Sequence, residues 1–184
     1  MTRTADALAT AEDLLSGRYG EENSEIEEGV LLLHEPAGWA HGVVVYRVCA
    51  ALSSRVADWN EVAVAAGDPG FWLTHMPDTV RAPDVAVISG PDAAGLEHEP
   101  GFARRPPDLA IEVRSPSDTL ASQLDKARMW TARGVRLVWV IDPGSEAAYL
   151  LTPGAPLQRI SMGGSLSAES VLPGVTIPLD EVLP

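Results

Sequence analysis

PPDLAIEVRSPSD, residues 106–118, reads first as a strand and then as the start of a helix. In the extended half, Leu109, Ile111 and Val113 fall on one face, and Asp108, Ala110, Glu112 and Arg114 on the other, because side chains alternate along a strand. The apolar face predicts a strand lying on a core. The second face sets a carboxylate and a guanidinium at the strand's centre, and an unpaired charge in a buried sheet is expensive.

Working outward, SPSDTLASQLDKARMWTARG predicts a helix with Ser115 as its cap, Pro116 at its first position and Gly134 at its end. VRLVWVIDP is dense in Val, Leu, Trp and Ile and predicts a buried strand. EAAYLLTP and LQRIS predict a closing hairpin, and ESVLPGVTIPL an edge segment, since its two prolines cannot join a central ladder. Upstream, RAPDVAVISG predicts a strand with a proline at its mouth, followed by a Gly/Pro-rich loop from Gly90 to Pro107 whose length suggests mobility. Strands are expected over Val62–Ala66 and Phe71–Thr74 around the turn GDPG, and a helix over His41–Asp58 with Val44, Val45, Val48, Cys49, Leu52 and Val56 as its apolar stripe. SEIEEGVLLLHEP, 24–36, predicts a strand or hairpin arm, and Thr4–Gly17 a short helix. This order implies a mixed sheet flanked by helices, α/β or α+β.

The 184 residues suit one domain, and 46% hydrophobic with 21% charged residues is ordinary for a globular protein. The longest apolar run is too short to span a bilayer and the N-terminus lacks a signal-peptide core, so a cytoplasmic protein with no membrane partner is expected. Cys49 stands alone, which excludes an internal disulfide, and no Cys/His set has zinc spacing. A net charge of −13 argues against a polyanionic partner. Residues 104–136 reverse that sign, with seven bases (Arg104, Arg105, Arg114, Lys126, Arg128, Arg133, Arg136) against four acids (Asp108, Glu112, Asp118, Asp125).

Magnesium needs oxygens about 2.0–2.1 Å from one point. Asp108 and Glu112 share a face but stand roughly 13 Å apart along a strand, so Glu112 needs a partner from another strand. Asp84, at the mouth of PDVAVI, is the natural one if its strand lies beside that of Glu112. Arg114 would then point toward a bound anion; alternatively Glu112 and Arg114 pair with each other. For Asp84 and Asp108, both after proline, a turn or strand-entry role is the competing reading. Lys126 is the only lysine beside twelve arginines, and on its helix it shares a ridge with Gln123 and Trp130. A solvated surface position is its simpler alternative.

The combination of APDVAVI, PPDLAIEVRSPSDT, a helix with a lone lysine and GVRLVWVIDP resembles the Uma-type restriction endonuclease family of the PD-(D/E)XK nuclease superfamily, over about residues 24–152. The resemblance implies a restriction-endonuclease-like fold in a single nuclease-like domain over 1–184, with an N-terminal helix within 1–23, a core over 24–152 and a C-terminal hairpin or edge extension over 153–184. It implies Asp84 and Glu112 as ligands of Mg²⁺ or Mn²⁺, and Glu25, in SEIEEG, as the acidic residue on the side of the first helix. His41 matches a histidine that often opens the next helix. The superfamily motif has a lysine two residues beyond the Glu; here that position is Arg114, and the resemblance implies that the lysine's duty has moved to Lys126. Arginine is a poor base but can hold phosphate.

The expected activity is metal-dependent hydrolysis of DNA phosphodiester bonds by Asp84, Glu112, Lys126, Glu25 and Arg114, in a homodimer whose two sites match a duplex. Two rivals remain: a nuclease fold without catalysis serving as a binding or protein-interaction module, and a hydrolase of small phosphate esters, which suits a negative surface better.

Overall fold

The computed structural model describes residues 8–20, 23–96 and 98–184. Its elements run α1 (Ala11–Leu15), β1 (Asn23–Glu27), β2 (Val30–His34), α2 (Trp39–Val56), β3 (Val62–Ala66), β4 (Phe71–Thr74), β5 (Thr79–Arg81), β6 (Val85–Ser89), α3 (Ala93–Leu96), β7 (Leu109–Val113), α4 (Leu120–Ala132), β8 (Leu137–Asp142), β9 (Ala147–Leu151), β10 (Gln158–Ser161), β11 (Ser165–Ser167), β12 (Thr176–Pro178) and α5 (Leu179–Val182).

The alternation in residues 109–113 organises the molecule. β7 is central in a six-stranded sheet of order β10-β9-β8-β7-β6-β3, parallel to β8 and antiparallel to β6. Leu109, Ile111 and Val113 join Trp139, Ile141 and the α2 stripe of Val44, Val48, Leu52 and Val56 in one core layer. On the opposite face Ala110 packs with Val138, Val140, Ala127 and Trp130 beneath α4. This is the expected mixed α+β arrangement, with a central sheet between helices. A four-stranded sheet, β2-β1-β5-β4, stands beside it and carries a third core around Ile26, Trp72 and Val80.

Several local expectations change. Of the helix expected over Thr4–Gly17, residues 4–7 lie outside the described residues, and α1 begins only at Ala11, where Thr10 and Asp13 cap each other reciprocally. SEIEEGVLLLHEP forms both arms of a hairpin, turned by Glu28 and Gly29 at positive φ. β5 was not anticipated: three residues between turns show too little alternation to read. Ser115 does not cap α4. Its carbonyl accepts from the Asp118 N–H in a turn, Arg114 holds the Asp118 carbonyl at 2.9 Å, and the helix starts after Thr119, whose hydroxyl accepts from the Ser122 N–H. The 90–107 loop contains α3 and is tied to β4 through Ala103.

ESVLPGVTIPL is not an edge of the main sheet. Its strand β12 pairs with β11 in a separate ribbon, and Leu166, Leu172, Ile177, Leu179 and Val182 are buried against α2 and the central sheet. Burial of these side chains, at about 1.5–3 kcal/mol each, makes the C-terminal segment part of the main core.

Candidate functional site

The register of β6 and β7 builds the site. Val85 stands opposite Ile111, so Asp84, one step outward, is level with Glu112. Opposed residues of an antiparallel pair point to the same face, here the α4 face, where Ala86 and Ala110 also lie. Both acids line one cleft of about 970 Å³, together with Glu25, His41, Asp68 and Lys126.

Glu112 is buried and held from above by α4. One turn apart on that helix, Lys126 Nζ lies 2.9 Å from Glu112 Oε2 and the Trp130 indole N–H donates to Oε1 at 2.7 Å. Lys126 also donates to the Ala82 carbonyl at 3.1 Å and stands 3.6 Å from Glu25. Burial pushes the Glu112 carboxyl up to about 7; Lys126 pulls against that rise and Asp84 adds to it. Burial alone would lower Lys126, but the Glu112 and Glu25 carboxylates raise it, so it stays an ammonium. An ammonium in that position can orient an oxygen or balance negative charge, and is a poor base.

Asp84 accepts the Val113 N–H at 2.6 Å, and its Oδ2 lies 3.3 Å from His41 Nε2. That hydrogen bond raises His41 above its usual range, against the effect of burial. Glu25, on β1, is buried among His34 at 2.8 Å, Arg81 at 3.1 Å and the Ala82 N–H at 2.7 Å. Burial would raise its carboxyl, but the His34 bond, the Lys126 and Arg81 charges and the Ala82 N–H together hold it at about 2. Its folded value lies below its ordinary 4.5, so its contribution is complete above pH 4.5 and is lost as pH falls toward about 2. Glu25→Gln is therefore expected to lower the unfolding free energy at pH 7 by about 3 kcal/mol. Urea melts of both proteins at stepwise lower pH check this: the difference should shrink to nothing near pH 2, and a constant difference would contradict it.

Asp84, Glu112, Lys126 and Glu25 are thus brought to one cleft, and Arg114 is not. Its guanidinium lies 2.7 Å from Asp142 and holds the Asp118 carbonyl, it does not line the cleft, and it does not pair with Glu112. Asp108 closes the other end of β7, bound by Arg105, Arg136 and Ser89. The polar face of residues 108–114 is consequently no continuous wall of the cleft; Glu112 alone of its charged residues reaches it.

Two cleft residues had weak signals. Asp68, in the GDPG turn, is raised by the cleft wall around it and then by Asp84; nothing in a turn aspartate announces that neighbour. His41 was visible only through the family pattern. Trp130 was legible as a ridge partner of Lys126, and a buried indole needs an acceptor for its N–H, but which acceptor depends on a strand distant in sequence.

Asp84 and Glu112 are a hard-oxygen donor pair of the kind that Mg²⁺ or Mn²⁺ would take. Among the described residues no group of three or more His, Cys, Asp or Glu is placed to hold a metal ion. No helix among them is long and apolar enough to cross a membrane.

The model of the Uma2 family, described as "Putative restriction endonuclease", matches residues 10–180. Among solved structures, that of "a putative nuclease belonging to DUF820" from Anabaena variabilis superposes with a TM-score of 0.77 at 16% identity, covering 94% of this chain and 96% of that one. At that identity the likeness is one of fold. A DrdV–DNA complex matches with a TM-score of 0.35 at 18% identity, over 67% of this chain and 84% of that one. No curated protein matches the chain.

Proposed function

The chain belongs to the Uma2 family, and on that premise we propose that its cleft hydrolyses DNA phosphodiester bonds with Mg²⁺, or Mn²⁺, held by Asp84 and Glu112. The observation that carries this reading is the Glu112 carboxylate, level with Asp84 and fixed between Lys126 and Trp130 at the cleft wall. A bound divalent cation would supply Lewis-acid polarisation of a phosphate oxygen.

The chain's own groups account for the remaining work. Lys126, already an ammonium, orients the attacking water and balances charge developing on the phosphate. The Val113 N–H and His41 hold Asp84 in place, and Glu25, 3.6 Å from the Lys126 ammonium, adds a second carboxylate beside it. Arg114 has no part in this scheme, because Asp142 and the Asp118 carbonyl occupy it. A twofold homodimer would present two such clefts to the two strands of a duplex.

Calorimetric titration with Mn²⁺, run beside plasmid and oligonucleotide cleavage, tests the proposal. Asp84→Ala is expected to weaken Mn²⁺ binding at least about tenfold, about 1.4 kcal/mol, and to abolish cutting. Unchanged Mn²⁺ affinity would remove Asp84 from the ligand set.

One observation favours a second reading. Glu25, Glu35, Asp68, Asp84, Glu112 and Asp118 line the cleft, and among the described residues Lys126 is the only Lys or Arg that does. A long polyanion gains little there, whereas a small phosphate ester needs only the metal and Lys126. Turnover of a nitrophenyl phosphate diester without any nicking of DNA would select that reading. Failure to bind any divalent cation at millimolar concentration would select a non-catalytic binding module.

A further inference from the structure

We propose that Arg114 is a positioning residue of the cleft: its guanidinium ties the end of β8 to the 115–118 turn, and so fixes the wall from which α4 carries Lys126 over Glu112. The inference rests on the hydrolytic reading above. It adds no group to the chemistry, because Arg114 itself does not line the cleft.

The form of the contact separates bridging from simple pairing. An arginine that only neutralises a carboxylate meets it best through two parallel N–H···O bonds. Arg114 divides its fork instead. Nη2 lies 2.7 Å from Asp142 Oδ1, Nη1 donates to the Asp118 carbonyl at 2.9 Å, and the buried Nε has no acceptor among the described residues. The anchor at one end is rigid: Asp142 is buried and also accepts the Gly144 N–H at 3.1 Å and the Ser145 hydroxyl at 2.6 Å. Gly144 leaves room for the guanidinium, since a Cβ there would stand 2.7 Å from Nη2.

At its other end the tie reaches the cleft. Ser115, Ser117, Asp118, Gln123 and Lys126 all line it. The Asp118 N–H closes the turn on the Ser115 carbonyl at 3.0 Å, and the Asp118 carboxylate accepts from Gln123 Nε2 at 3.0 Å, three residues before Lys126 on α4. Asp118 therefore joins the guanidinium to the first turn of the helix. Pro116 and Ser117 are exposed, so packing contributes little to holding this turn and the hydrogen bonds decide its position.

Arg114→Lys separates a tie from a stabilising pair. Its ammonium can still meet the Asp142 carboxylate, so the buried charge stays paired, but a point donor lacks the fork that spans both acceptors. The variant is expected to stay folded and to bind Mn²⁺ within about threefold of wild type, since Asp84 and Glu112 are intact. Hydrogen exchange of the Asp118, Ser122 and Gln123 amides, all bonded within this turn and cap, should become at least about tenfold faster. For whichever phosphodiester the wild type cuts, DNA or the nitrophenyl diester, kcat should fall about 10²-fold, the scale of a reacting group displaced by about 1 Å. Gly144→Ala, outside the cleft, drives its methyl against Nη2 and should move exchange and kcat in the same direction. Unchanged exchange in Arg114→Lys overturns the tie, and faster exchange with undiminished kcat overturns the positioning role. A wild type that cuts neither substrate sinks the hydrolytic reading instead, and exchange alone then decides whether Arg114 braces the wall.

Discussion

Glu112→Gln is expected to lower Mg²⁺-dependent cleavage by about 10³-fold or more, equivalent to about 4 kcal/mol of barrier. Glutamine keeps the shape and an oxygen for the Trp130 N–H, but it removes the negative charge that a hard cation requires and that Lys126 faces at 2.9 Å. The variant should remain folded, since Lys126 retains Glu25 and the Ala82 carbonyl. Initial rates of plasmid nicking by folded variant and wild type are the measurement. Cleavage within tenfold of wild type would place the chemistry elsewhere.

The same carboxyl sets the direction of the pH dependence. Burial raises it from 4.5 to about 7 in the folded protein, so the folded state binds a proton that the unfolded chain has released. Between pH 4.5 and 7 this group therefore costs stability as pH rises. Metal capture runs the other way. A cation needs the ionised form, so Mn²⁺ affinity of the wild type is expected to rise through pH 7 and level off above it, a trend that titrations at a series of pH values read directly. Glu25 contributes oppositely, with stability lost only on the acid side. One buried acid is held ionised for structure and the other is poised near neutrality, a division common where two carboxyls serve different tasks.

How much of this was legible in the sequence follows from the range of each interaction. Alternation over 109–113 and the apolar density of 137–142 placed the two central strands, because burial on a sheet leaves a local pattern. The helical stripe of α2 was equally local. β5 was too short to leave one, and α4 begins behind Thr119, not behind the Ser115 cap that was expected, after a turn in which Arg114 holds the Asp118 carbonyl. In the site, Asp84 and Glu112 were nameable as partners only on condition that β6 and β7 adjoin, and no feature of either segment states that adjacency. Arg114 shows the converse. Its neighbours in sequence suggested Glu112 or an anion, while its actual partner, Asp142, comes from the strand on the far side of β7 from β6.

Trp130 joins stability to chemistry, and Trp130→Ala should show the largest loss of stability. The indole is fully buried beneath α4, in edge contact with Phe71 at a centroid distance of 6.2 Å. Truncation removes about 3–5 kcal/mol through lost burial and the cavity left behind. It also strips a buried carboxylate oxygen of its donor, a further cost of about 1–3 kcal/mol. For a domain of ordinary stability that approaches the whole margin, so Trp130→Phe separates the two effects. Phenylalanine keeps most of the packing and loses only the N–H to Glu112. That N–H favours the ionised carboxyl, so its removal should shift the Glu112 titration upward and carry the pH at which Mn²⁺ binds above its wild-type value. Urea melts and pH-dependent Mn²⁺ titrations of Trp130→Phe read the two consequences separately. An unmoved binding pH would mean that the indole only fills space, and that Lys126 alone among the α4 side chains tunes Glu112.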